Sequence, residues 1–316
     1  MADKKGKVSI WLAAFFICAL LCPGIVYAAG AGEAVTGAAA GMIEVQSGFL
    51  DAAGRFRKMK SAAGFLIANE ESSTYIITNC ETVSNTPRSI RKYCKKNSIN
   101  TENTQFSNYI QVVVKGDVTA QAQVVVKSAE KDYCVLSTAN VVSQKESLKL
   151  GDSSGVEVND IVYAYGFPRE QGADAQDMSV MDAQASQGAV TEKEAVTDDG
   201  ICIAHSAPVG AGYAGGPLLD ADGYVIGLGR RQSPEEDTGI AYALPVNEIS
   251  AVLDNFTIYY GSRAIDEASG RLEAAYGECT GILDGGGYKK STMEALSLAL
   301  EKAKEALSEE KPAAAV

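Results

Sequence analysis

Histidine is nearly absent from this 316-residue chain: His205 is the one imidazole. That excludes every multi-histidine metal site and leaves acid/base chemistry near neutral pH a single candidate ring. Neither a metal nor a cofactor is expected. An excess of positive charge is also missing. With 28 Lys and Arg against 40 Asp and Glu, the formal net charge is −12, which argues against a nucleic-acid partner, because a polyphosphate is held by clustered cations. Long apolar runs are wanting too. The longest candidate, Ile10 to Cys22, stops at Pro23-Gly24, short of the ~20 residues that span a bilayer core.

That run is informative in another way. Lys4, Lys5 and Lys7 precede it and Val26-Tyr27-Ala28 follows, so residues 1–28 read as a secretory signal peptide, with an uncleaved membrane anchor as the alternative. Export makes the protein extracellular or surface-displayed. Loss of the segment would remove three Lys and one Asp, moving the charge from −12 to −14, and would leave Cys80, Cys94, Cys134, Cys202 and Cys279. Five is odd, so at least one thiol stays free or pairs with another chain. A Cys80–Cys94 disulfide would close a short loop worth about 3 kcal/mol; a buried free thiol at Cys80 is the competing expectation.

What is present is a β-rich body. Residues 29–41 are rich in Ala and Gly and predict a flexible mature N-terminus. From Met42, short runs of Val, Ile and Tyr alternate with Gly, Asn and Asp, predicting strands near 42–50, 61–68, 74–79, 109–115, 119–127, 132–138, 160–166, 178–193, 200–205, 217–219, 223–230 and 239–244, with one helix near 245–256. That spacing indicates a mainly β barrel or sandwich. Over 262–316 the period becomes helical, with Leu296, Leu300, Ala303 and Leu307 on one face. Between these regions Arg88, Arg91, Lys92, Lys95 and Lys96 crowd five cations into nine residues. They read as a solvated loop, or as a dock for an anionic surface partner such as a cell-wall polymer or lipid head groups.

Two stretches carry most of the functional content. Gly210-Ala211-Gly212-Tyr213-Ala214-Gly215-Gly216-Pro217-Leu218-Leu219 is a Gly-rich turn entering a strand, followed by an Asp/Gly hairpin and Val225-Ile226-Gly227-Leu228. Ala63-Gly64-Phe65-Leu66-Ile67 and Tyr75-Ile76-Ile77-Thr78-Asn79 form a second pair. Here the chain resembles the trypsin-like serine proteases of the HtrA/Deg branch, whose turn reads Gly-Asn-Ser-Gly-Gly-Pro-Leu and whose hairpin ends Thr-Asn-His. Asp132 to Leu136, Leu150 to Ser153, Gly155 to Pro168 and Gly239 to Pro245 resemble further family segments in order. The resemblance covers roughly 42–256 and implies two six-stranded antiparallel β-barrels with a substrate cleft between them.

Mapped onto that family, the catalytic triad positions are Cys80 for the base, Asp132 for its orienting carboxylate and Ala214 for the nucleophile, so only Asp132 is retained. An alanine methyl cannot attack a carbonyl, which closes the acyl-enzyme route. A Cys80 thiolate would need a positive neighbour, and Asp132 supplies negative charge. His205 lies nine residues before Ala214, away from the family's base position, and is expected to be structural or to line the specificity pocket. The resemblance also implies an oxyanion hole from the N–H groups of Gly212 and Ala214, which a Ser-to-Ala change leaves in place. It makes Val225, Ile226, Gly227 and Leu228 the strand that would pair with a bound peptide by β-augmentation. The expected function is therefore a pseudoprotease that binds a peptide or an extended protein segment; the alternatives are an active endopeptidase of the same family and a purely structural surface module. About 55 residues follow the barrels, too few for the PDZ domain usual in this branch. From Leu283 to Lys304 they resemble instead a FIVAR-type helical repeat.

Overall fold

A computed structural model describes residues 32–70, 72–102, 104–115, 118–139, 145–168, 183–198, 200–210, 212–230, 239–285, 294, 295, 297–299, 301 and 302. The signal-peptide segment 1–28 and most of the FIVAR-like stretch lie outside them. The first barrel contains β1 (Met42–Leu50), β2 (Phe56–Asn69), β3 (Ser73–Thr78), β4 (Tyr109–Lys115), β5 (Val118–Ser128) and β6 (Tyr133–Ala139). The second contains β7 (Ile161–Gly166), β8 (Gln184–Thr197), β9 (Gly200–His205), β10 (Pro217–Leu219), β11 (Val225–Gly229) and β12 (Ala241–Pro245). Both close, in the orders β1-β2-β3-β6-β5-β4 and β7-β8-β9-β12-β11-β10, and every pairing within them is antiparallel. The expected mainly β double barrel is what the chain forms.

Strand periodicity explains why these runs are apolar throughout rather than alternating. In β2, Leu66 points into the first barrel while Phe65 and Ile67 join a cluster shared by both barrels. β6 repeats the pattern: Cys134 and Leu136 face inward, Tyr133 and Val135 face the junction. In the second barrel Ile226 fills the interior and Val225 meets the same junction, as does Leu228, brought to that face by a bulge at Ile226 that breaks the alternation locally. Side chains two apart share a face, so a strand buried on both sides must be apolar at every position. The junction is therefore a third core, and it fixes how the two halves of the cleft face each other.

Two elements depart from expectation, and the question left open at Cys80 is answered by its second alternative, a buried free thiol. Residues 33–41 are ordered, as α1 (Glu33–Gly37) and a 3₁₀ turn. Val35 is 0% exposed in the junction core, and its carbonyl accepts from Tyr165 Oη at 2.5 Å. Small residues favour flexibility in isolation, but here they permit close packing between the barrels. The basic segment is α2 (Pro87–Lys96), an α-helix rather than a loop. Thr86 caps it by accepting from Ser89 N, Ser89 Oγ accepts from Thr86 N in return, and Pro87 sits at the first turn. Finally, Cys80, Cys94, Cys134 and Cys202 are all free and buried. Cys80 packs in the first barrel's interior and Cys94 beneath α2 against Phe49 and Ile90, so no Cys80–Cys94 disulfide forms.

Two further helices close the described structure. α3 (Asn247–Asn255) presses Ile249 and Leu253 into the junction core. α4 (Arg263–Gly285) is anchored at its start, where Arg263 pairs with Asp220 at 2.5 Å and Asp222 at 3.1 Å, and Lys149 pairs with Asp266 at 2.8 Å.

Candidate functional site at the barrel junction

The turn 212–216 is built by glycine. Gly212 has φ +109° and Gly215 φ +82°, backbone that L side chains resist. At Gly215 space forbids a side chain as well: a Cβ would lie 2.3 Å from the Ala63 carbonyl oxygen and 2.8 Å from Thr78 Oγ1. The turn is pinned from several sides. Ala63 N donates to Ala214 O at 3.1 Å, Gly215 N to Gly229 O at 3.0 Å, Gly216 N to Tyr213 O at 2.9 Å and Phe167 N to Gly212 O at 2.9 Å. The first of these crosses from one barrel to the other, and the Ala63 carbonyl accepts from Thr78 Oγ1 at 2.7 Å. Among the described residues, neither Gly212 N nor Ala214 N donates to a backbone carbonyl. Both N–H groups of the expected oxyanion hole thus stand in a rigid turn, uncommitted to the backbone around them.

The first barrel's contribution is different in kind. Cys80 follows β3 and opens a short 3₁₀ turn; it is 3% exposed, and its Sγ lies 3.5 Å from Ser84 Oγ. Its side chain belongs to the interior cluster with Val83, Cys134 and Leu136. Asp132, at φ +47°, turns its carboxylate to the same 3₁₀ turn: Oδ1 accepts from Glu81 N at 2.7 Å, while its carbonyl accepts from Asn79 Nδ2 at 3.1 Å. The carboxylate that would orient an imidazole here holds backbone instead. Behind it, burial pushes the Cys134 thiol up to about 12, with the neighbouring Cys80 and Asp132 adding to the effect.

His205 ends β9 in the second barrel, paired to Ala241 and Val190. It is 1% exposed, its Nδ1 has no hydrogen-bond partner, and burial lowers its pKa to about 4, so the ring is neutral at physiological pH. No hydrogen bond joins it to Cys80; the two stand in different barrels. Instead, His205, Tyr213, Gly229, Arg230 and Tyr242 line a narrow cavity of ≈ 10 Å³ behind the turn, room for roughly one water molecule. This cavity was legible only as an open alternative for His205, because the residues closing it come from four separate segments.

The expected peptide-pairing strand is corrected by the topology. Over 225–228, β11 lies inside the closed barrel. Pro217, Leu218 and Leu219 of β10 occupy one edge, and Leu244 and Pro245 of β12 the other. Val225, Ile226 and Leu228 are buried. A strand with both edges paired has no free N–H or C=O row to offer a peptide.

A profile of the trypsin-like peptidase domain matches residues 62–228, more than half of the chain. The chain belongs to the trypsin-like peptidase family. Within it the relatives are HtrA-like. The serine protease Do-like HtrB of Bacillus subtilis (strain 168) is 24% identical over 201 residues, 61% of this chain and 37% of that protein. The serine protease Do-like HtrA of the same organism is 23% identical over 200 residues, 61% of this chain and 38% of that protein. The chain spans well under half the length of these curated relatives. The matched residues 62–228 include Cys80, just after β3, and Ala214 in the glycine-built turn between the barrels.

Proposed function

We propose that this protein is a secreted or surface-displayed pseudoprotease: a trypsin-fold protein that holds a peptide or an extended protein segment in its inter-barrel cleft without cutting it. One observation carries the reading. The turn at Gly212 to Gly216 keeps its glycine-dependent backbone, and among the described residues the N–H groups of Gly212 and Ala214 donate to no backbone carbonyl, although the residue the turn presents, Ala214, has no nucleophilic atom. A carbonyl bound there would meet two donors and no attacking group. The cavity beside Tyr213 and His205 is narrow, which favours a ligand with a small side chain at that point. Residual acceleration from backbone donors alone, roughly 10³–10⁴-fold over water in another serine protease fold, falls far below a physiological protease. The Lys-flanked apolar N-terminus supports export.

The test uses residues 29–316 beside an Ala214→Ser/Cys80→His double variant, each incubated with casein and fluorogenic peptides. No cleavage is expected from the unmodified protein; cleavage would overturn the reading in favour of an active endopeptidase. Binding of a peptide library is then measured. Gly212→Ala, which cannot hold φ +109° without strain, is expected to weaken binding roughly tenfold, the worth of one hydrogen bond. Absence of any binding would leave a scaffold and remove the peptide-holding role.

A further inference from the structure

We infer that α2 is a preformed docking surface for a linear phosphate polymer other than a nucleic acid. The inference stands independently of the cleft. In α2 the five cations recur at i, i+3, i+4, i+7 and i+8, counted from Arg88 through Arg91, Lys92 and Lys95 to Lys96, which places them in one continuous stripe. All five are exposed, and the stripe is about 12 Å long at ~1.5 Å per residue. Ile90 and Cys94, each 0% exposed, occupy the opposite face and lock the helix onto Phe49.

What distinguishes this stripe is that its charges are uncompensated. Elsewhere Arg55, Arg57, Lys60, Lys131, Lys149, Lys193 and Arg263 sit in ion pairs with carboxylates. None of the five stripe residues pairs with a described carboxylate, and α2 itself carries no acid. A chain with a surplus of twelve acids has ample means to neutralise them. Their grouping on a helix free of acids keeps a positive field within the ~8–10 Å over which charges act in physiological salt.

The stripe is also rigid. The reciprocal Thr86–Ser89 cap fixes one end. Tyr93 Oη donates to Lys58 O at 3.0 Å, its ring meets Phe49 edge-on at 6.2 Å, and the Arg91 guanidinium lies 4.6 Å over the Phe106 ring. The helix backbone therefore needs no ordering on binding, and the cost that remains is confined to the exposed side chains.

The partner's chemistry follows from what the helix offers. Its apolar face is consumed by the barrel, so it cannot lie in a bilayer as an amphipathic helix does. Three lysines among five cations act as point charges, suited to phosphate oxygens approached from many directions. A phosphate polymer also carries condensed counterions, whose release supplies a driving force able to overcome the repulsion of an acidic protein.

The experiment measures binding of residues 29–316 to long-chain inorganic polyphosphate across a salt series, beside poly-glutamate and anionic phosphatidylglycerol vesicles. Expected is binding to polyphosphate with a log–log salt slope of about −3.5 to −4.5, from ~0.7–0.9 for each of the phosphates neutralised by the stripe's cations. Lys92→Ala/Lys95→Ala/Lys96→Ala is expected to lose at least tenfold in affinity and about 2 in slope, with circular dichroism and melting unchanged. Arg88→Glu/Lys92→Glu gives a second, charge-reversed check, expected to lose at least as much affinity with the fold unchanged. The inference is overturned by absence of polyphosphate binding at low salt, by equal binding of the variants, or by poly-glutamate or vesicles binding as tightly as polyphosphate.

Discussion

The two barrels share one strand order, yet they bring opposite things to the junction between them. The second contributes backbone: a glycine turn whose shape depends on φ values and on hydrogen bonds to Ala63, Gly229 and Phe167. The first contributes side chains, Cys80 and Asp132: one is buried in the barrel interior, and the other, half-buried, accepts from the amide of Glu81. Proton transfer depends on side-chain identity, which one substitution abolishes, whereas carbonyl binding by N–H groups survives any residue that tolerates the turn. Chemistry and binding can therefore part company within a single fold. The first barrel has in exchange a feature the second lacks, the cationic helix α2.

The largest expected break in this contrast comes from Gly215→Ala. The added methyl would meet the Ala63 carbonyl of the opposite barrel at 2.3 Å on a backbone at φ +82°. Strain and overpacking together predict a loss of about 3–5 kcal/mol, measured by urea unfolding, together with loss of peptide binding. An effect no larger than that of an exposed glycine would mean the turn is not braced by the first barrel.

Next in size is the pH dependence set by His205. Its folded pKa, about 4, lies below the 6.5 of a free imidazole, so between those values the unfolded chain binds the proton and the folded one does not. Stability from this group is complete above pH 6.5 and falls as pH drops toward 4, by up to about 3 kcal/mol. His205→Gln should flatten the stability profile over that window relative to the unmodified protein. Parallel profiles would show that the ring does not titrate as a buried group.

The smallest effect belongs to the first barrel. Thr86→Ala removes the acceptor for Ser89 N and is expected to cost about 1 kcal/mol, a melting shift of roughly 2–4 °C, while leaving the second barrel's peptide binding untouched. A change in peptide affinity would instead couple the cationic helix to the cleft.

Much of this was legible in the residues themselves. Runs such as Gly64 to Ile67 and Tyr75 to Thr78 announce strands, and the order of Gly-rich and Asp-containing segments identifies the family together with the vacant places at Cys80 and Ala214. The helix α2 had its own local signature, Thr86-Pro87 with Ser89 three after the cap and Ile90 and Cys94 four apart, obscured by charge that reads as a loop. Other features had no local signature. Nothing in Ala- and Gly-rich residues 33–41 indicates burial; Val35 is covered because the junction leaves a gap of its size and Tyr165 supplies a donor. Nothing in Val225 to Leu228 tells whether its edges are open, since β10 and β12 occupy them only once the barrel closes.

Composition, period and motif order thus determined the strand content and the family, because each is written in nearest neighbours and residue identity. Edge pairing, the enclosure of His205, the inward turn of Cys80 and the packing of the N-terminal segment were decided by tertiary structure. Each depends on residues far apart in the chain arriving at one place, where close packing leaves a single arrangement that fits.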